Sequence, residues 1–121
     1  MDYKLYAVRV FVKDWQAAMQ FYQDTLGMKV FFSDEEMGWA QFDLGGAYIG
    51  LEKVSSDDAE EAKLIGRFVG VSLQVKTVAP VYDALVAKGV TFIAPPEKQP
   101  WGGVLAHFKD LEGNVLTLLG E

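Results

Sequence analysis

The single histidine, His107, stands in "LAHFKD", and the chain has no cysteine. That removes thiolate metal sites, disulfides and cysteine nucleophiles together, and it leaves acid–base chemistry to one imidazole and the carboxylates. Ser72 has no histidine near it in the pattern, so a serine nucleophile would lack its base. "GGAYIG" is no phosphate loop, because no helix opening on Lys-Ser/Thr follows it. Asp34, Glu35 and Glu36 read as a solvated turn. Arg9 is a cation whose planar fork matches a carboxylate or a phosphate. Phe11, Trp39, Tyr48 and Trp101 complete the set, since aromatic rings of this kind either stack on flat groups or fill a core.

These residues must be positioned by a small chain. Its 121 residues are half hydrophobic and 13% aromatic, which excludes disorder and fits one domain, or two half-size modules that cannot stand alone. The net charge of −6 argues against nucleic acid, because phosphate neutralisation needs clustered Lys and Arg. "MDYKLYAVRVF" is too short and too charged for a signal peptide or a membrane span. A cytoplasmic protein with no membrane partner is the expectation.

"YAVRVFV" alternates, with Ala7, Arg9 and Phe11 on one face and Val8, Val10 and Val12 on the other; it predicts a strand from about Leu5 to Lys13. Asp14 caps a helix over "WQAAMQFYQDTL", whose Ala18, Phe21, Tyr22 and Leu26 fall at helical spacing, and Gly27 stops it. "MKVFFS", "WAQFDL" and "AYIGLEKV" follow as strands, with turns at "EEMG" and at Gly45-Gly46. "SSDDAEEAKLIGR" is a polar, acidic connector holding one short helix capped by Ser55 or Ser56. The order then repeats. "FVGVSLQV" is a strand, Thr77 caps "VAPVYDALVAK", Gly89 stops that helix, "VTFIA" is a strand and "PPEKQPWGG" a Pro-rich loop. "VLAHFKD" and "NVLTLLG" form the closing hairpin.

Aligning the halves pairs Val8, Val10 and Val12 with Val71, Leu73 and Val75, and pairs Gly46, Ile49 and Leu51 with Gly113, Leu116 and Leu118. The chain is a βαβββ unit written twice: module one over 3–54, the connector over 55–67, module two over 68–121. One helix covers one face of each four-stranded sheet. The other face must curve against a second unit, in the same chain or in a partner chain. The fold class expected is α+β, two curved mixed sheets around a central cleft lined by the uncovered faces. Phe11 and Tyr48 fall on that face, with Trp39 and Trp101 near its mouth.

The chain resembles the vicinal oxygen chelate superfamily, which includes glyoxalase I, extradiol dioxygenases, and fosfomycin and bleomycin resistance proteins. The residues that carry the likeness are Val8, Val10, Val12, Asp14, Phe21-Tyr22 and Leu26-Gly27, together with "PWGGVLAHFKDLEGN", where Leu111 replaces the usual Pro. The resemblance implies four metal-ligand positions, which fall at Ala7, Gly50, Gly70 and Thr117. These offer one weak hydroxyl, whereas such metals need imidazole or carboxylate lone pairs, so the expectation is no metal and no cofactor. Displaced ligands would have to come from His107, Glu52, Gln74 and Asp43.

Family-like pairing of the first and last strands sets position 7 beside 50 and Arg9 beside Glu52. A cleft-wall salt bridge and an Arg9 that holds a ligand anion are the two readings of that pair. Small residues at 7, 50 and 70 leave a hollow, which Gly70→Leu is expected to fill at little cost in stability. The reading favoured is a metal-free homodimer resembling bleomycin-resistance-type proteins. It would sequester an aromatic or amphipathic compound among Arg9, Phe11, Trp39, Tyr48, Glu52, Ser72, Gln74, Trp101, His107 and Thr117. The alternatives are a lyase- or isomerase-like enzyme of the superfamily with a non-standard site, and a structural module whose cleft is filled by its own side chains.

Overall fold

The computed structural model describes all 121 residues, which divide into two compact units, Met1–Ile65 and Gly66–Glu121. In the first unit β1 (Val8–Val12) leads to α1 (Trp15–Gln20), which continues as a π-helix over Phe21–Thr25. Next come β2 (Lys29–Asp34), β3 (Trp39–Asp43), β4 (Tyr48–Lys53) and the short α2 (Ala59–Ala62). The sheet order is β1-β4-β3-β2, with β1–β4 parallel and the other pairs antiparallel. The second unit holds β5 (Phe68–Gln74), α3 (Val78–Ala87), β6 (Thr91–Phe92), β7 (Glu97–Lys98), β8 (Val104–Lys109) and β9 (Val115–Gly120). Its order is β5-β9-β8-β6, β7 also pairs with β8, and β5–β9 is again parallel. The α+β class and the two mixed sheets are those read from the sequence. No helix is long and apolar enough to cross a membrane.

Alternation builds each core. Val10, Val12, Ala40, Phe42, Ile49 and Leu51 point to one side of the first sheet and are buried. Asp14 caps α1 as expected, its carboxylate accepting from the Ala17 N–H at 3.2 Å. The helix does not run on as one α-helix, however. The wider π turn brings the consecutive Phe21 and Tyr22 both inward, edge to face at 5.7 Å, and Tyr22 stacks on Phe42 at 5.8 Å. Gly27 and Gly89 end their helices at φ of 73° and 90°.

In the second unit Ala106, Phe108, Leu116 and Leu118 form the buried side with Val78 and Leu85 of α3. Thr77 occupies the cap position of α3, but its side chain makes no cap hydrogen bond. Three further expectations are corrected. The first strand starts at Val8, not near Leu5, so residues 1–7 lie outside the ladder. The connector helix is capped by Asp58, not by Ser55 or Ser56; the Asp58 carboxylate accepts from the N–H groups of Glu60 and Glu61, whereas the Ser55 hydroxyl accepts from the Asp57 N–H. The Pro-rich loop contains the two-residue strand β7.

Candidate functional site

On the uncovered side of the first sheet, β1 contributes Arg9 and Phe11, β4 contributes Tyr48, Gly50 and Glu52, and β3 contributes Trp39, Gln41 and Asp43. The register differs from expectation by two residues. Arg9, not Ala7, stands beside Gly50, and Phe11 stands beside Glu52. A shift of two residues keeps every side chain on its expected face, so Arg9 and Phe11 stay on the uncovered side. The ion pair forms nonetheless: the long Arg9 side chain reaches along the strand and donates to the Glu52 carboxylate at 2.9 Å. Its guanidinium also lies 5.2 Å from the Phe11 ring centroid. The Arg9 side chain is 57% exposed and that of Glu52 35%, so the contact is a surface pair and weak.

Trp39 closes the space over Gly50. A Cβ built on Gly50 would fall 2.1 Å from the Trp39 ring, so the indole lies directly on the bare backbone. The hollow expected around position 50 is filled by this ring. The indole N–H donates to the Gln41 side-chain oxygen at 3.3 Å, and the Tyr6 hydroxyl donates to the same oxygen at 3.0 Å. Tyr48 sits among further rings, with Phe31 at 5.0 Å and Tyr6 at 6.5 Å. Phe31 and Phe32 are both exposed, because a bulge between Val30 and Phe32 breaks the strict alternation of β2. Asp43 caps the Gly45-Gly46 turn by accepting from the Gly45 N–H.

On the second sheet Ser72, Thr117 and His107 stand side by side across β5, β9 and β8. Thr117 is buried and shares a hydrogen bond with His107 Nδ1 at 2.8 Å, while the edge of Phe68 meets the imidazole at 5.7 Å. Gln74 is exposed beside Leu119. Trp101 is 65% exposed and lies on Gly103 in the loop before β8. Gly70 has φ of +80° and marks the irregularity between Phe68 and Ser72, where β5 leaves the β9 ladder. The expectation that Gly70→Leu costs little is therefore corrected: space is open there, but an L side chain is strained at that φ.

The four metal positions do not fit a divalent ion. Ala7 and Gly70 bring no donor, Gly50 lies under an indole ring, and the Thr117 hydroxyl is engaged by His107. The proposed substitutes do not assemble either, since no three of the His, Asp and Glu side chains gather as a metal site would require. Glu52 faces Arg9 and Asp43 serves its turn. Each unit also holds concavities lined by other residues. A polar groove of about 510 Å³ is lined by Lys13, Asp14, Trp15, Gln16, Glu35 and Lys53, none of them a predicted site residue. A hollow of about 60 Å³ touches His107 and is too small for a drug-sized ligand.

Gln41, Tyr6, Phe31 and Phe32 belong to the aromatic side and were not anticipated. Gln41 had a signal, because alternation from Trp39 places it on that face in "WAQFDL". The others depend on a bulge and on a segment outside the ladder, which alternation does not show.

The fold, two mixed sheets each carrying a parallel first–last strand pair, is of the kind the sequence resembles. The Glyoxalase/Bleomycin resistance protein/Dioxygenase superfamily matches residues 4–118, and the chain belongs to it. Among its relatives is the Bacillus subtilis (strain 168) uncharacterized protein YraH, 29% identical, with 95% of this chain and 96% of that protein covered. The crystal structure of UcmS2 superposes with a TM-score of 0.85 at 30% identity over the whole of both chains. A superfamily member from Sphaerobacter thermophilus DSM 20745 gives the same TM-score at 29% identity, covering 100% of this chain and 99% of that one.

Proposed function

We propose that the chain is a metal-free small-molecule binding protein of the bleomycin-resistance type, cytoplasmic and homodimeric, which sequesters an aromatic or amphipathic compound. The observation that carries this reading is the substitution of a ring for a ligand. At position 50, where a metal-binding relative would present a donor, this chain has glycine under the indole of Trp39, among the accessible rings of Tyr6, Phe31 and Phe32. Such rings favour flat partners. The site residues proposed on this sheet are Arg9, Phe11, Trp39, Tyr48 and Glu52. On the second sheet they are Ser72, Gln74, His107 and Thr117, with Trp101 at the loop.

The test is a thermal-shift screen of planar aromatic compounds in the presence of EDTA, with metal content and solution mass measured on the same sample. Stabilisation by a subset of compounds in chelator, with substoichiometric metal and a mass of two chains, is the expected result. Stabilisation that appears only on adding a divalent metal would overturn it. The His107–Thr117 contact favours one further reading, metal-independent acid–base catalysis of the lyase or isomerase kind. Turnover in EDTA that is lost in His107→Ala would establish it.

A further inference from the structure

Gln41 carries more information about the ligand than any ring around it. The residue is buried, with a relative exposure of 3%, on the aromatic side of the first sheet. An indole N–H is only ever a donor, so the atom it meets at 3.3 Å must be the Gln41 carbonyl oxygen. This fixes the orientation of an amide whose two ends are otherwise easily exchanged. The Tyr6 hydroxyl donates to the same oxygen, which therefore has both lone pairs engaged. The amide nitrogen is left with two N–H donors and accepts no role in those contacts.

No acceptor of the chain meets that nitrogen, yet it is not sealed in. Trp15 Nε1 is the one fully enclosed side-chain polar atom without a partner, so the Gln41 nitrogen keeps an opening to the outside. Its neighbours across the strands explain why nothing in the chain fills that opening. Gly50 on β4 has no side chain, and Phe32 on β2 has no polar atom. A donor pair that opens outward among Tyr6, Phe32 and Trp39, with its oxygen end already engaged, is free to donate to an acceptor brought by a ligand.

We infer that Gln41 is the polar recognition element of the ligand site, and that the ligand is a flat aromatic molecule bearing a carbonyl oxygen at its edge, such as a lactone, lactam or ring ketone. The inference rests on the binding function proposed above and names the class of compound bound. The rings receive the aromatic plane while the amide N–H groups donate to the edge oxygen. Trp39 and Tyr6 act as positioning residues, because they hold the amide with its nitrogen outward.

Coumarin and naphthalene are fused bicycles of similar size, and only coumarin has a ring carbonyl. Dissociation constants of both are measured by NMR titration of the full chain, for the wild type, Gln41→Glu and Gln41→Leu. An ionised carboxylate at 41 still accepts from Tyr6 and Trp39 and has no donor, though it adds a charge, whereas Gln41→Leu removes the donors without one, so the two variants are read together. The wild type should bind coumarin about tenfold more tightly than naphthalene, the equivalent of one good hydrogen bond. Both variants should lose that preference, the coumarin-to-naphthalene ratio falling from about tenfold to about one. Equal wild-type affinities, or a coumarin preference that survives in Gln41→Glu, would overturn the role of Gln41 while leaving ligand binding in place. Binding of neither compound to the wild type would overturn the aromatic-ligand function and this inference with it. Equal wild-type affinities would overturn the inference even if Gln41→Leu fails to fold, and Gln41→Glu then carries the variant comparison.

Discussion

Gly50→Ala adds one methyl group and tests the packing on which the site reading depends. The added Cβ would sit 2.1 Å from Trp39 Cη2 and within 2.8 Å of two further ring carbons, so the ring must move. Overpacking of this sort costs typically about 1–3 kcal/mol. Displacing the ring also releases the indole N–H from Gln41, a hydrogen bond worth about 0.5–1.5 kcal/mol. Against this, alanine in a strand recovers roughly 0.5–1 kcal/mol of backbone entropy relative to glycine. Gly50 is not among the residues with positive φ, so no backbone strain enters.

The net expectation is a loss of about 0.5–4 kcal/mol in the wild-type background. With Trp39→Ala already in place the obstacle is gone, and the same change should stabilise by roughly 0.5–1 kcal/mol. The sign reverses, which corresponds to a coupling of about 1.5–4.5 kcal/mol between the two positions. Urea denaturation of the four proteins, compared at unchanged m-value, measures this. An effect of the same sign and size in both backgrounds would mean that the ring does not rest on Gly50, and the argument that an indole has replaced a ligand would fall.

Three smaller tests bear on the scaffold. A double-mutant cycle on Arg9 and Glu52 should give a coupling below about 1 kcal/mol that shrinks with added salt; a coupling well above that, insensitive to salt, would mean the pair is desolvated. Asp14→Ala should cost about 1 kcal/mol in thermal or urea unfolding, while Thr77→Ala, which has no cap bond to lose, should cost under about 0.5 kcal/mol; equal losses would contradict the observed caps. Gly70→Ala and Gly70→Leu should lose similar stability, on the order of 1–2 kcal/mol, because the strain lies in the backbone at φ of +80° and not in crowding; a Leu variant much worse than Ala would put the cause in packing.

The properties legible in the sequence are those set by neighbours along the chain. Alternation in "YAVRVFV" and "WAQFDL" gave the faces, Asp14 gave a cap, and Gly27 and Gly89 gave the stops, because each acts within a turn or two. The repeat was legible for the same reason: both halves carry the same local signals in the same order. What failed depends on events between segments. A two-residue difference in β1–β4 register cannot be seen in either strand alone, since a shift of two leaves every side chain on the same face. The ring over Gly50 joins two strands, and a small residue in a sequence does not reveal whether a neighbour will cover it. The buried Asp110 turn shows the reverse case. Its carboxylate accepts from the backbone N–H groups of Glu112 and Asn114 and from the Asn114 amide, whose oxygen in turn accepts from Gly66 and Arg67. The "KDLEGN" stretch that marks the family is thus a structural lock for the closing hairpin.

The repeat also explains where the two halves part. Its alignment carries Arg9 onto Ser72 and Gly50 onto Thr117, and the structure pairs Arg9 with Gly50 and Ser72 with Thr117. The parallel ladders are therefore equivalent in their central rungs. They diverge one step earlier, at the positions where the family's first-strand ligands would stand. Ala7 precedes the start of β1, and Gly70 lies where β5 leaves its ladder. A ligating side chain has to be held to within about half an ångström by a rigid element. In this chain the donor atoms and the regular backbone that would hold them are missing at the same two places. Grafting histidine onto positions 7 and 70 would restore the atoms without the geometry. On the first sheet the space beside that frayed rung is instead given to Trp39, Gln41 and Tyr6, which hold an amide in one orientation, a task that needs rings and hydrogen bonds and no metal.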